Sequence, residues 1–444
     1  MLINFSVSNH LSFSSKQSLN MLKSNFFGNL IYKENLLTSS LIFGANASGK
    51  SNFIGSLALL KKIVLKSTNE LSKNYLEEIV PFLFNKVENR PSTFEISILS
   101  QEIYTYSLSF LDNKIISEEL CIYPEQDISK KNILFTRNNN VLSYVSDLFS
   151  ESTNYFNQET KEIINSDNIQ NIPIVSIIAG VGGKHSKNII NWFNKLHIIS
   201  GLLDDGLLNF SLNLFEKDPE FYNWASKFLP SVQIDKIDFK DDVLSLFENM
   251  DPKELKLTLN KVKNKQRVQN KEKEFIEKFI DLIQMTTEIK DKKINAKKVN
   301  IIKNINGKSY ELPFRLESEG TKKLIALLGP IYDSIQNKHI LVCDEIDSKF
   351  HTLLMKYIFK IFNEDNKECQ LIASAQDTNL IDKNIFNEDQ IWFINKNEFG
   401  ESGIYSLVEF KALANTDYAS NYLKGAYNAI PLFENKDIIE NLLK

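Results

Sequence analysis

The sequence of 444 residues is poor in cysteine, arginine and glycine, and it has no long apolar run. Its three cysteines, Cys121, Cys343 and Cys369, cannot build a disulfide framework, and their odd number suits a reducing compartment. Five scattered histidines and no C-x-x-C pair leave no sequence pattern for a structural zinc site. Nothing approaches the roughly eighteen consecutive apolar residues of a membrane span. The N-terminus has no basic segment followed by an apolar core, so no secretion signal is expected. The expected location is therefore cytoplasmic, with no membrane partner. Arginine supplies only Arg90, Arg137, Arg267 and Arg315 of 52 basic residues, a skew that fits coding bias alongside abundant Asn and Ile. A net charge of −4 argues against a wholly basic nucleic-acid coat and leaves room for a local basic patch.

What is present is a globular composition, 43% apolar and 24% charged, long enough for two or three domains. The first 125 residues alternate short strands and turns. Residues 2–7 and 40–43 read as strands, 52–66 as a helix, and 93–98, 104–110 and 115–123 as half-exposed antiparallel strands. From 126 to 300 glycine is sparse and stretches such as 187–199 and 272–285 have helical spacing, so a mostly helical insertion is expected there. Strands return at 338–343, 369–375 and 390–394, separated by helical patterns. The expected organisation is an N-terminal lobe (1–125), a helical insertion (126–300) and a C-terminal lobe (301–444). Both chain ends should share one sheet.

Gly44-Ala45-Asn46-Ala47-Ser48-Gly49-Lys50-Ser51 fits G-x-x-x-x-G-K-[ST], between a predicted strand and a predicted helix. Such a loop turns backbone N–H groups inward around phosphate oxygens, and the helix that follows aims its N-terminus at the same anion. Gly44, Asn46, Ala47, Ser48, Gly49, Lys50, Ser51 and Asn52 are the expected ATP-binding residues. Lys50 should reach the β- and γ-phosphates, and Ser51 should ligate Mg²⁺. Asp344-Glu345, at the end of an apolar strand, is expected to be the second half of such a site, with Asp344 holding Mg²⁺ through water and Glu345 polarising the attacking water.

The order of these pieces resembles ABC-type ATPases of the SMC and RecF kind. Leu316-Glu317-Ser318-Glu319-Gly320-Thr321-Lys322-Lys323, opening an apolar helix, is similar to the ABC signature. The resemblance implies an α/β P-loop fold with a mixed sheet, an antiparallel N-terminal lobe and an inserted region. It also implies that Ser318, Glu319, Gly320 and Thr321 contact nucleotide held by a second subunit. Without that resemblance, the same residues describe an ordinary capped helix. A broader resemblance, to bacterial ATP-binding proteins of the abortive-infection (AbiL/RloA-like) group, runs through residues 5–13, 115–120, 344–347, 389–393 and 422–431. It implies a homodimer or higher homo-oligomer in prokaryotic anti-phage defence that works beside a separate effector protein.

Two positions depart from the pattern. Where the ABC family has a switch histidine, this chain has Gln376, in Ala375-Gln376-Asp377. Glutamine can donate a hydrogen bond to a γ-phosphate but cannot carry charge or shuttle protons, so slow hydrolysis is expected. The loop after the acidic pair ends in His351 rather than Asp. It either faces a partner's phosphate loop or is a partly exposed helix residue. Gly180-Val181-Gly182-Gly183-Lys184 reads as a turn before a helix, not a second phosphate loop. Residues 253–308 carry 16 Lys/Arg against 7 Asp/Glu. This stretch is either a solvated face, a weakly sequence-specific nucleic-acid contact or a dock for an acidic partner. The leading function is a slow ATPase switch that dimerises around ATP–Mg²⁺. The alternatives are an ATP-gated scaffold with little hydrolysis and a RecF-like repair ATPase.

Overall fold

The computed structural model describes residues 1–66, 75–84, 89–139, 141–145, 147–149, 151, 171–200, 205–243, 288–290, 293–364, 368–413 and 417–430. The chain opens with β1 (Leu2–Ser8), β2 (Gln17–Asn20), β3 (Ser39–Phe43) and helix α1 (Lys50–Lys66). It continues through β4 (Ser92–Leu99), β5 (Ile103–Leu111), β6 (Lys114–Tyr123), β7 (Asn132–Asn138) and β8 (Val141–Tyr144). Helices α2 (Ile174–Gly180) and α3 (Lys184–Asn194) lead into β9 (Leu196–Ile199). Next come α4 (Asp205–Lys217), α5 (Pro219–Ala225), β10 (Lys236–Val243), β11 (Glu288–Lys290), β12 (Lys293–Ile305), β13 (Lys308–Pro313) and α6 (Glu319–Asn337). The last stretch holds β14 (Ile340–Cys343), α7 (Thr352–Glu364), β15 (Gln370–Ser374), β16 (Ile391–Lys396), β17 (Ser402–Ser406) and α8 (Tyr418–Leu423).

Packing divides the chain into two units, Met1–Gly201 with Ser334–Lys444, and Leu202–Asp333. The larger unit holds two sheets. One is seven-stranded and antiparallel, in the order β2-β1-β4-β5-β6-β7-β8. Strand β4 alternates buried residues (Phe94, Ile96, Ile98) with half-buried ones, as a sheet covered mainly on one face does. The other is six-stranded, in the order β17-β16-β3-β15-β14-β9. Strands β16, β3, β15, β14 and β9 run parallel, and only β17 is antiparallel. Strands β3, β14 and β15 are buried at every position, which explains the apolar run Ile340–Cys343 and the apolar centres of the other two, where Ser39, Ser40, Gln370 and Ser374 are the buried polar exceptions. One core joins α1 (Phe53, Leu57, Leu60, Val64) to both sheets, with Phe53 edge-on to Phe5 and Phe13 at 5.3 and 5.8 Å. Gln370 ties the sheets together: its amide nitrogen donates to Leu2 O and Leu37 O, and its Oε1 accepts from Leu2 N.

In the smaller unit, β10 and β11 flank β12, and β13 also pairs with β12, all antiparallel. Helices α4 and α5 pack through Phe215, Phe221 and Trp224 around Tyr332 of α6. Pro330 interrupts α6 and leaves the carbonyl of Ala326 without its helical donor. The Ser211 hydroxyl takes that carbonyl at 2.8 Å and accepts the Gly329 N–H at 3.0 Å. A Cβ on Gly329 would stand 2.4 Å from Ser211 Oγ, so this close crossing requires glycine.

Two expectations are corrected. The helical reading of 187–199 holds only to Asn194; the helix ends at Lys195, and Leu196-His197-Ile198-Ile199 is the edge strand β9, parallel to β14. The β-branched run and a partner strand outweigh the helical spacing. The expected boundaries near 125 and 300 also differ from the packing. Strands β7 and β8 extend the antiparallel sheet beyond residue 125, and 301–333 pack with the smaller unit, whose described part includes four strands. The helical reading of 272–285 and most of the 253–308 stretch lie outside the described residues.

Candidate nucleotide site

The sequence 44–51 forms a loop between β3 and α1, as its strand–loop–helix setting requires. Its glycines are fixed by space. A Cβ on Gly44 would lie 2.2 Å from the carbonyl oxygen of Ile394 in β16, a backbone atom that cannot yield. Gly49 has φ +121°, and its Cβ would meet Ser402 Oγ at 2.6 Å and Ser12 Oγ at 2.9 Å. Those two serines brace the loop. Ser402 Oγ donates to Ser48 O at 2.5 Å, Ser402 N donates to Ser12 O at 2.7 Å, and Asn52 Nδ2 donates to Ser12 Oγ at 2.9 Å. Ala47 also takes a left-handed φ of 61°, a costly conformation for a residue with a Cβ. Ser48 Oγ is buried with no hydrogen-bond partner among the described residues.

Lys50, 6% exposed, bends back over its own loop, its ammonium donating to Gly44 O at 2.6 Å and Ala45 O at 3.1 Å. Burial pushes its pKa below the usual lysine value, and the carboxylates of Asp344, Glu345 and Asp347 pull it back up. The lysine and the acidic pair therefore share one electrostatic environment, although about 300 positions separate them in sequence. The sheet accounts for this: β15 is the only strand between β3 and β14, so loops leaving the C-terminal ends of all three meet.

The acidic loop is closely tied to the end of β15. Ser374 Oγ donates to Asp344 Oδ1 and accepts the Glu345 N–H at 2.8 Å. Glu345 sits at φ 50°, a strained position for its type. Gln376 Nε2 donates to Glu345 Oε1 at 3.0 Å. Asp347 Oδ2 accepts the N–H groups of Gln376 at 2.7 Å and Asp377 at 2.6 Å. Thr352 Oγ1 in turn donates to Asp377. Burial alone would raise the Asp377 pKa, but the hydrogen bonds from Thr352 and Asn379 hold it below the usual aspartate value. The roles of Ser12, Ser374, Asp347 and Ser402 are not legible locally, because serines and single acids carry no pattern. Asp347 does follow the acidic pair closely enough to suspect.

The structure thus brings Gly44, Asn46, Ala47, Ser48, Gly49, Lys50, Ser51 and Asn52 together on one loop and helix start, with Asp344, Glu345 and Gln376 on neighbouring loops. Ser318, Glu319, Gly320 and Thr321 belong to the smaller unit, at the start of α6. There Ser318 is an exposed N-cap whose Oγ accepts the Thr321 N–H at 3.1 Å. His351 is exposed just before α7, its Nδ1 accepting the Leu353 N–H at 3.2 Å. Within 180–184, Gly180 ends α2, residues 181–183 form the turn and Lys184 opens α3, and the buried carboxylate of Glu151 lies at the α3 N-terminus. It accepts from His185 N and, at 3.2 Å, from Ser186 Oγ.

Among solved structures, the chain is similar to the SMC head domain from Thermotoga maritima, at 13% identity and TM-score 0.39, covering 91% of this chain and 98% of that one. It is similar to an Smc head domain bound to the C-terminal domain of ScpA derived from Pyrococcus furiosus, at 15% identity and TM-score 0.36, covering 93% and 97%. A third similar structure is an Smc head bound to the C-winged helix domain of ScpA, at 12% identity and TM-score 0.41, covering 93% and 99%. No curated protein matches the chain. A family model described as "AAA domain, putative AbiEii toxin, Type IV TA system" matches residues 39–382, from the phosphate-loop strand to beyond Gln376. With the phosphate loop, the acidic pair and the strand between them inside that match, the chain belongs to this abortive-infection-type family of P-loop ATPases.

Proposed function

We propose that the protein binds ATP–Mg²⁺ on the 44–51 loop, hydrolyses it slowly, and uses ATP-dependent self-association as a switch in anti-phage defence beside a separate effector protein. The observation that carries the ATPase reading is the convergence of Lys50 with Asp344 and Glu345 across three adjacent strands. In this reading the loop N–H groups and the α1 N-terminus hold the phosphates, and Lys50 leaves its two loop carbonyls for the β- and γ-oxygens. Ser51 Oγ and an Asp344 carboxylate oxygen would hold the metal, and their hard oxygen donors suit Mg²⁺. A metal held there would supply positive charge to offset that of the phosphates. Glu345 orients and deprotonates the attacking water, and Ser374 fixes the Asp344 carboxylate and the Glu345 backbone. Ser318 and Gly320 act on the nucleotide of a second copy.

Phosphate release by the purified chain tests the reading: Glu345→Gln should bind ATP but turn it over at least a hundredfold more slowly. Equal rates for variant and wild type would refute it. A specific observation favours the low-turnover scaffold as the second reading. The Gln376 amide donates to the carboxylate assigned as base and so occupies one of the oxygens that would take the proton from water.

A further inference from the structure

We propose that His197 and His339 form a binding site for a divalent transition-metal ion, Zn²⁺ or a neighbour in its chemistry, at the edge of the parallel sheet. The two residues are 142 positions apart, but their Nε2 (His197) and Nδ1 (His339) atoms lie 3.0 Å from each other. Pairing of β9 with β14 brings this about. His197 stands opposite Leu341, so His339, two residues before Leu341, is its diagonal neighbour on the same sheet face. The ring centroids are 4.8 Å apart and the planes are inclined by 31°. Two imidazole nitrogens held at ~2.0–2.1 Å by one tetrahedral ion stand about 3.3 Å apart, so a small rotation of either ring admits the ion. Both side chains are half-buried, which restrains the rings while leaving water access to the remaining coordination positions.

Donor chemistry sets the metal class. Imidazole nitrogen suits Zn²⁺, Cu²⁺ and Ni²⁺ and gives little to Mg²⁺, which keeps oxygen ligands. The position separates this site from the nucleotide. His339 precedes β14 and Asp344 follows it, five residue steps or ~16 Å along an extended strand. The ion would clamp β9, which among the described residues is an edge strand paired to β14 alone, onto the strand that carries the acidic pair. The proposal does not rest on the ATPase reading.

Calorimetric titration of the untagged full chain with ZnCl₂, without nucleotide or Mg²⁺, tests it. The expected result is one Zn²⁺ per chain at a Kd on the order of micromolar, weakened at least tenfold by His197→Gln or His339→Gln. His351→Gln and Lys50→Ala should retain the wild-type value. A second measurement removes dependence on how the variants fold: Zn²⁺ should protect His197 and His339 of the wild-type chain from diethyl pyrocarbonate, read by mass spectrometry. No Zn²⁺ binding below roughly 100 µM, an unchanged Kd in both histidine variants, or equal modification of both residues with and without Zn²⁺ would each overturn the site.

Discussion

Several single residues are placed in conformations or surroundings that cost stability, and each makes a measurable prediction. Lys50 is buried and held by two carbonyls, and Lys50→Ala should remove the cation proposed for the β- and γ-phosphates. ATP binding in calorimetry should then be lost, and wild-type affinity would contradict the loop assignment. Gln376→His replaces an amide that engages Glu345 with a group able to pass a proton and carry charge. Turnover should rise roughly tenfold, about 1.4 kcal/mol of barrier, with ATP affinity unchanged. A lower kcat with intact fold would show that the amide already serves hydrolysis. His10 is buried against Phe94 at 5.1 Å, and burial lowers its pKa to about 4. A depressed folded-state value means that the neutral ring's contribution is present above the unfolded pKa near 6.5 and lost as pH falls toward 4. The full linkage is about 3 kcal/mol. Denaturant melts of His10→Gln between pH 7 and pH 4 should therefore fall less steeply than wild type; parallel curves would exclude His10 as the titrating group.

At the scale of elements, the loop and helix that hold phosphate depend on strands distant in sequence. Gly44 abuts the Ile394 carbonyl of β16, and Gly49 is wedged between Ser12 and Ser402. In contrast, a Cβ added to Gly55 on the exposed face of α1 would meet no atom of another element within 4 Å among the described residues. Gly55→Ala should stabilise the fold by about 0.5–1 kcal/mol, whereas Gly44→Ala should destabilise it by roughly 2 kcal/mol or more and abolish ATP binding. Thermal melts of the two variants give the comparison, and equal shifts would argue against the packing described for Gly44. Elements with strong local signals were legible in the sequence. The loop, α1 and β14 announced themselves through glycine spacing, helical period and an apolar run ending in acids. Strand β9 was not legible, because its four residues continue the apolar spacing of α3 and become a strand only by pairing with β14. Likewise, Glu151 capping α3 depends on a tertiary contact across 34 positions, which no local pattern encodes. The Gln376–Glu345 hydrogen bond is of the same kind: the sequence marked Gln376 as a departure but not the carboxylate it would meet.

For the whole molecule, the sheet built from both chain ends explains why the nucleotide residues lie so far apart in sequence. Strand β3 pairs with β15 and β16, and β15 with β14, so the site is assembled only when the ends of the chain come together. Folding of the larger unit therefore depends on long-range contacts, and such pairings form slowly. The surface that would join two copies is expected to include the exposed start of α6 around Ser318. If ATP joins two copies, Glu345→Gln should accumulate as an ATP-dependent dimer or larger assembly in light scattering. The same mass with and without ATP, in both wild type and variant, would remove the switch from the account.

The central claim is that the 44–51 loop and the Asp344–Glu345 pair form one ATPase site. Multiple-turnover phosphate release, measured side by side on wild type, Lys50→Ala and Glu345→Gln with ATP binding followed in parallel, tests it most directly. Wild type should release phosphate slowly, Lys50→Ala should neither bind ATP nor release phosphate, and Glu345→Gln should retain binding without release. Release that persists in both variants at the wild-type rate would contradict it.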